Sequence, residues 1–110
     1  MKYNAEFVKK VWAQYGIDHP VLTEHKFHPV RKWRFDFCFP EQRVAVEVQG
    51  GIFIQGRHSR GAALLKEWEK LNTAAAMGFR VLFCQPKDVT SSVFCAQLKE
   101  ALTIVPKLKQ

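Results

Sequence analysis

Cysteine is scarce in this sequence, and its three cysteines, Cys38, Cys84 and Cys95, lie far apart along the chain. An odd number of cysteines without a Cys-x-x-Cys pair argues against a structural zinc site and against a disulfide framework. All three lie in apolar stretches, so we interpret them as buried free thiols.

Long apolar runs, a signal-peptide pattern, internal repeats and low-complexity segments are all absent. A membrane-spanning helix needs roughly 18 consecutive apolar residues, and no segment approaches that length. We therefore expect a soluble, cytoplasmic protein with no membrane partner. With 110 residues, 47% of them hydrophobic and 25% charged, we expect one folded domain over residues 1–110.

Acidic residues are few compared with basic ones: ten Asp and Glu against 17 Lys and Arg, a net charge of +7. Such a surplus on a small domain favours polyanionic partners, nucleic acid first. The signal is weak by itself, because many basic domains bind no nucleic acid.

The apolar periodicity predicts an α/β domain with the order helix, three strands, helix, strand, helix. Gly16 and Gly78 are expected to end the first and second helices. The fourth predicted strand is apolar enough to be central and should run parallel to its neighbour, because a helix connects them. The second helix is expected to bury the stripe Leu64, Trp68, Leu71 and Ala75. The predicted helices are residues 4–15, 62–77 and 92–103, and the strands are residues 21–28, 32–39, 43–49 and 79–84.

Alternation in the second and third strands places two acidic residues opposite each other. Asp36 lies on the face opposite the aromatic residues Trp33, Phe35, Phe37 and Phe39. A tight turn would pair Phe37 with Val46, and hence Asp36 with Glu47, with Cβ atoms about 4.5–5.5 Å apart. Two carboxylates that close repel each other unless a proton or a cation is shared. Oxygen ligands of this kind predict Mg²⁺, for which Mn²⁺ can substitute.

The alternative interpretation is that these acids are solvated on the outer face of a hairpin. Arg34 and Arg43 share that face and could neutralise both carboxylates as salt bridges. Against this, Glu47 is the only charge in the run Val44–Val48. A lone carboxylate in an apolar strand is costly unless something compensates it.

Asp36, ten intervening residues and then Glu47-Val48-Gln49 resemble the active-site signature of the PD-(D/E)XK nuclease superfamily. The order of predicted elements is also similar to the restriction-endonuclease-like core over nearly the whole chain. In particular, the sequence resembles small phage and bacterial endonucleases near the VRR-NUC and very-short-patch-repair-like groups. The segments that carry this likeness are Lys32–Phe37, Val46–Gly51 and Gly56–His58.

The resemblance implies that Asp36, Glu47 and the backbone carbonyl of Val48 hold the metal. It places glutamine, Gln49, where the family usually has lysine, so Gln49 would orient a water molecule but could not supply positive charge. We expect Lys70, on the second helix, to supply that charge, although a solvated lysine is an equal alternative. In related nucleases, an acidic residue from the first helix or strand often joins the metal ligands.

Glu24, on the first strand, is the preferred candidate for that additional ligand, and Glu6 on the first helix competes with it. A surface salt bridge is the alternative role for Glu24. The basic residues Arg57, His58 and Arg60 are expected to form a polar loop that contacts DNA. His58 could also act there as a general acid or base. A second basic cluster, Arg31, Lys32 and Arg34, suits contact with the phosphate backbone.

Three classes of function follow. The leading hypothesis is a Mg²⁺-dependent endonuclease that cuts branched, nicked or mismatched DNA, with DNA favoured over RNA and a homodimer compatible with the small subunit. The second is a nucleic-acid-binding module that has kept the fold and lost the chemistry. The third is a protein-interaction domain whose charge only keeps it in solution, which predicts no metal binding.

Overall fold

The computed structural model describes residues 3–50 and 57–104, with side chains described for 3–50 and 61–104. Within these residues, three helices and four strands form an α/β fold in the predicted order. None of the described helices is both long enough and apolar enough to cross a membrane. The elements are α1 (Ala5–Gln14), β1 (Leu22–Lys26), β2 (Arg34–Phe39), β3 (Val44–Val48), α2 (Arg57–Ala76), β4 (Arg80–Cys84), a 3₁₀ turn (Pro86–Asp88) and α3 (Ser92–Thr103).

The four strands form one mixed sheet in the order β1-β2-β3-β4. The β1–β2 and β2–β3 pairs are antiparallel, and β3 and β4 are parallel, connected through α2. Phe37 lies opposite Val46, as the tight-turn prediction required. Arg43 has φ +57° in that turn, a left-handed conformation that reverses the chain within a few residues. The predicted sheet and hairpin register are therefore confirmed.

Glycines end α1 and α2, as predicted. Gly16 and Gly78 have φ +83° and +90°, which side chains with a Cβ atom rarely adopt. The N–H of Gly16 donates to the carbonyl of Ala13, and the N–H of Gly78 donates to that of Ala75. These bonds satisfy helix-end carbonyls that would otherwise lack donors.

The core consists of two layers, one on each face of the sheet. On the first face, α1 and α3 pack against β2 and β3, and Trp12 Nε1 donates to the carbonyl of Val89 at 2.9 Å. On the second face, Phe35 stacks on Phe27 with ring centroids 4.0 Å apart, beneath Ala74 of α2. The sheet is therefore flanked by helices on both faces, as expected for its apolar central strands.

The predicted aromatic face of β2 is wrong in its first half, because Trp33 and Phe35 both pack on the α2 face. Phe37 and Phe39 pack on the α1–α3 face, whereas Phe35 packs with Cys38 on the α2 face. The change of face occurs at Asp36, opposite Glu24, whose φ of +50° is outside the β region. A local distortion of both strands thus turns Phe35 towards α2.

Two other expectations about packing are wrong. Among the described strands, β4 lies at the edge of the sheet rather than in its centre, and Phe83 within it is 47% exposed. The stripe predicted to be buried on α2 is largely outside the core: Leu64 is 46% and Trp68 51% exposed. Among the described side chains of α2, Ala74 is the one that is fully buried, one position away from the predicted Ala75, because the helix is rotated relative to the prediction.

The three cysteines are free thiols; Cys38 and Cys95 are buried as predicted, whereas Cys84 is only half-buried. Burial raises the pKa of the Cys38 thiol to about 11 and contributes most to raising that of Cys84 to about 12. Both therefore stay protonated at neutral pH, as expected of structural thiols.

Candidate active site

Asp36 and Glu47 lie where the backbone ladder between β2 and β3 ends. The last paired residues on this side are Phe37 and Val46. Beyond them, side chains connect the strands: the N–H of Asp36 donates to Glu47 Oε2 at 3.1 Å, and the N–H of Val48 donates to Asp36 Oδ2 at 2.7 Å. Each carboxylate is therefore anchored on the opposite strand, which brings the two acids together as the sequence predicted.

Lys70 of α2 forms an ion pair with Glu47. Its Nζ lies 2.6 Å from Glu47 Oε1, and the two side chains are only 13% and 8% exposed. The ammonium also lies 5.9 Å from the ring centroid of Phe35. A carboxylate in an apolar strand needs such a partner, because removing it from water costs several kcal/mol. The structure thus brings the lysine proposed from the sequence directly to Glu47.

The arginines considered as salt-bridge partners do not take this role. Arg43 donates to the carbonyl of Met77 at 2.9 Å and lies over the ring of Phe79. Arg34 is exposed at the start of β2, opposite Lys26 of β1. Within the described side chains, the cation paired with Glu47 is Lys70.

The electrostatics of Glu47 depend on opposing effects. Burial raises the pKa of its carboxyl above the usual value, whereas the hydrogen bond and charge of Lys70 act in the lowering direction. The N–H of Asp36 also favours the ionised form, and the negative charge of Asp36 disfavours it. A nearby cation would therefore stabilise the ionised form of this carboxyl.

Tyr3 is a further residue near the acids, and the sequence reasoning did not single it out. Its ring packs against Phe37, with centroids 5.7 Å apart. Burial raises the pKa of the Tyr3 hydroxyl, with further contributions from the charges of Asp36, Glu24 and Glu47. Its position one residue before the Asn4 cap of α1 carries no sequence signal of this proximity.

Glu24 lies in the same row of the sheet as Asp36. Thr23 pairs with Phe37 and His25 with Phe35, so Glu24 is across from Asp36. Its side chain is exposed. Within residues 3–50 and 61–104, no three or more His, Cys, Asp or Glu side chains are close enough to hold a metal ion together. The competing candidate, Glu6, instead pairs with Lys9 at 3.0 Å on the surface.

The arrangement of donors is compatible with a magnesium ion. Mg²⁺ usually binds one or two protein carboxylates and completes its shell with water and substrate phosphate. Asp36 and Glu47 provide two carboxylates on rigid strands, and Val48 is fixed beside them by its hydrogen bond to Asp36. A larger all-protein set of ligands is not required for this ion.

Gln49 directly follows Val48, the last residue of β3. Its N–H donates to the carbonyl of Cys84 at 2.7 Å. Its side chain lines an open cavity of about 490 Å³ between α2 and the end of β4. Glu67, Trp68 and Phe83 line the same cavity, which therefore lies next to the candidate site.

The proposed DNA-contacting residues have different surroundings. Arg31 donates to Glu69 of α2 at 2.8 Å and lies over the Trp33 ring, 4.0 Å from its centroid, so this arginine connects a loop to the helix. Lys32 and Arg34 are exposed. The expected loop is wrong in part, because α2 begins at residue 57 and includes Arg57, His58 and Arg60 in its first turn. The side chains of these three lie outside the described residues, as do Gly51 and Gly56 of the segments that carry the family likeness.

Comparison with known proteins provides no assignment: no family model, no curated protein and no solved structure matches this chain.

Proposed function

We propose that this protein is a Mg²⁺-dependent DNA endonuclease with the restriction-endonuclease-like fold, and that it selects branched, nicked or mismatched DNA. The observation that carries the proposal is the group formed by Asp36, Glu47 and Lys70. It combines two carboxylates on neighbouring strands with a largely buried ammonium 2.6 Å from one of them. Perturbed, partly buried ionisable groups of this kind are typical of functional sites.

The fold supports the proposal at a coarser level. An antiparallel three-stranded unit is followed by a helix and a parallel fourth strand, with helices on both faces of the sheet. This is the order that the resemblance to PD-(D/E)XK nucleases implies. Asp36 and Glu47 occur on the second and third strands, which the motif requires.

The metal is assigned to Asp36, Glu47 and the carbonyl of Val48. When bound, Mg²⁺ would polarise the scissile phosphate and lower the pKa of an attacking water molecule. The protein's own residues position these groups: the N–H of Val48 orients the Asp36 carboxylate, and the N–H of Asp36 orients that of Glu47. Both bonds come from the backbone, so the carboxylates need little rearrangement to bind.

Lys70 supplies the positive charge that Gln49 lacks. Its ammonium holds Glu47 in place. Because an ammonium has three N–H donors, it can also donate a hydrogen bond to a phosphate oxygen at the site. A charge held in a site with little water stabilises developing negative charge more strongly than the same charge in bulk solvent. The amide of Gln49 can orient water by hydrogen bonding.

A second candidate function is a nucleic-acid-binding module without catalysis. The observation that favours it is that both oxygens of Glu47 already accept hydrogen bonds, from Lys70 and from the N–H of Asp36. Because Lys70 compensates the charge of Glu47, the arrangement of these side chains could persist without a metal ion. The glutamine at position 49 is compatible with this alternative.

The test is cleavage of supercoiled plasmid and of a synthetic four-way junction in Mg²⁺, Mn²⁺ or EDTA. Asp36→Asn and Glu47→Gln are expected to reduce cleavage by at least about 100-fold, because each removes a charge from the metal site. Glu41→Gln, which alters an exposed acid in the β2–β3 turn, is the matched control and should cleave normally. Binding of DNA without metal-dependent cleavage would support the second candidate instead, and cleavage unaffected by Asp36→Asn would exclude this site.

A further inference from the structure

An open groove lies between α2 and β4, beside the candidate active site. We call it the α2–β4 groove and define it by Gln49, Leu64, Glu67, Trp68, Phe83 and Gln85. Its volume of about 490 Å³ falls within the range of roughly 300–1,000 Å³ that is typical of pockets for small organic groups. The groove is therefore large enough for a planar ring system.

Two aromatic side chains line this groove and remain about half exposed. Trp68 of α2 is 51% exposed and Phe83 of β4 is 47% exposed. Exposed aromatic rings leave apolar area in contact with water, and stacking of another ring on them would remove it. Nucleobases stack on aromatic side chains irrespective of sequence, because every base has a π-face.

The polar atoms of the groove favour a ligand that donates hydrogen bonds. Among the described residues, nothing forms a hydrogen bond with the buried Oε2 atom of Glu67. A buried acceptor without a donor costs free energy, which a ligand N–H would recover. Asp88 adds a second carboxylate to the lining, and no Lys, Arg or His lines the groove among the described side chains. These charges disfavour a phosphate and favour an uncharged ring that carries an amino group.

The groove lies next to the proposed metal site, because Phe83, which lines the groove, pairs with Glu47 across β3 and β4. Gln49 lines the groove and follows Val48, whose N–H holds Asp36. On α2, Glu67 of the groove lies three residues before Lys70, which pairs with Glu47. Residues at that spacing are neighbours on a helix face, with Cβ atoms about 5–6 Å apart.

We infer that the α2–β4 groove binds one unstacked nucleobase bearing an amino group, in the strand whose phosphodiester lies at Asp36 and Glu47. This inference rests on the proposed function and explains selection of distorted DNA, because bases leave the stack most easily at junctions, nicks and mismatches. Cytosine fits the groove, since its amino group can donate to Glu67 as carboxylates accept from this base elsewhere. Thymine does not fit, because its only ring N–H lies between two carbonyl oxygens that would face the carboxylates.

The experiment measures binding of fluorescein-labelled abasic oligonucleotides that carry one central cytosine, one central thymine or no base. Fluorescence anisotropy in EDTA prevents cleavage. We expect the cytosine probe to bind about tenfold more tightly than the fully abasic probe, the size of effect that stacking of one base produces. Trp68→Ala should abolish this preference, and Glu67→Gln should remove the discrimination between cytosine and thymine. Leu65→Ala, an exposed apolar residue of α2 outside the groove, is the matched control and should bind as the wild type does.

Equal binding of all three probes, or an unchanged preference in Trp68→Ala with normal circular dichroism, would overturn the inference. It would also be overturned if sedimentation velocity showed a wild-type dimer that Trp68→Ala dissociates, because a second copy would then occupy the groove. Plasmid cleavage in Mn²⁺ separates the two proposals. Cleavage without a base preference would contradict only the proposed role of the groove. A base preference without cleavage would contradict only the proposed nuclease activity.

Discussion

Glu47 is a charged residue in a strand that is otherwise apolar, and each of its carboxylate oxygens has a protein donor. Lys70 Nζ lies 2.6 Å from Oε1, and the N–H of Asp36 lies 3.1 Å from Oε2. Removing either donor would leave a buried acceptor or charge without compensation. The single charge that interrupts the valine pattern of β3 is thus explained by contacts from β2 and α2.

Lys70→Met tests this compensation directly. The substitution leaves the Glu47 carboxylate buried and unpaired, so we expect the free energy of unfolding to fall by about 3 kcal/mol or more at pH 7. Urea denaturation in EDTA provides the measurement. Lys66→Met, at an exposed position of the same helix, should change stability by less than about 0.5 kcal/mol. The double variant Lys70→Met/Glu47→Gln should recover much of the loss, and equal effects of the two single lysine substitutions would contradict the prediction.

The raised pKa of Glu47 predicts the direction of a pH dependence. Because burial raises the pKa of this carboxyl in the folded protein, the folded state binds its proton more tightly than the unfolded state does. The contribution to stability is therefore fully present below the unfolded pKa and is lost as pH rises through the folded pKa.

Glu47→Gln should remove this contribution. In EDTA, the free energy of unfolding of the wild type relative to Glu47→Gln is expected to decrease as the pH rises above about 4, the ordinary range of a glutamate pKa. Urea denaturation at a series of rising pH values measures the decrease. Mn²⁺ should reduce the decrease for the wild type alone, because a bound cation stabilises the ionised carboxyl. A relative stability that rises with pH in EDTA would show that Lys70 outweighs burial.

At the scale of elements, the β1–β2 pair combines a regular register with a local distortion. Residue pairs on both sides of Glu24 and Asp36 follow one register. Glu24 nevertheless has φ +50°, a conformation that costs a non-glycine residue about 1–2 kcal/mol. The distortion places Phe35 on the α2 face, where it packs beneath the Lys70–Glu47 pair.

At Glu24, the glycine variant should therefore be more stable than the valine variant, which is the reverse of what is expected in a regular strand. Glu24→Gly is expected to leave stability unchanged or raise it by up to about 1 kcal/mol, since glycine adopts positive φ without strain. Glu24→Val should destabilise by about 1 kcal/mol or more, because β-branched residues tolerate this conformation poorly.

Lys26, an exposed residue of the same strand without positive φ, is the matched control. There, glycine should destabilise the protein by about 0.5–1 kcal/mol, and valine should be tolerated. Thermal or urea unfolding of the four variants provides the comparison. If the valine variant were more stable than the glycine variant at both positions, Glu24 would lie in ordinary strand conformation in solution.

At the scale of the whole molecule, the net charge of +7 and the proposed function predict salt-sensitive binding. Binding to a four-way junction in EDTA should weaken by at least about tenfold between 50 and 200 mM salt, the effect of releasing counterions at two or more phosphates. Anisotropy titrations measure the slope. An uncharged junction analogue with a peptide backbone should bind without this dependence. Salt-independent binding of the DNA junction would favour the protein-interaction hypothesis.

Local sequence patterns determined the elements and the central pair of acids. Gly16 and Gly78 end helices because glycine adopts positive φ without strain, which depends on a few residues only. The register of the β2–β3 hairpin follows from strand alternation and a short turn. The sequence alone therefore predicts that Asp36 and Glu47 are neighbours.

Only the tertiary structure decided which surfaces meet. The apolar run of β4 is equally compatible with a central and an edge strand, since periodicity does not specify the number of neighbours. The rotation of α2 depends on packing over the whole sheet, so it buries Ala74 and leaves Trp68 half exposed. The same rotation brings Lys70 to Glu47 and places Glu67 in the groove. The Lys70–Glu47 contact joins residues 23 positions apart, and the geometry of such contacts is set by the packed core rather than by local preference.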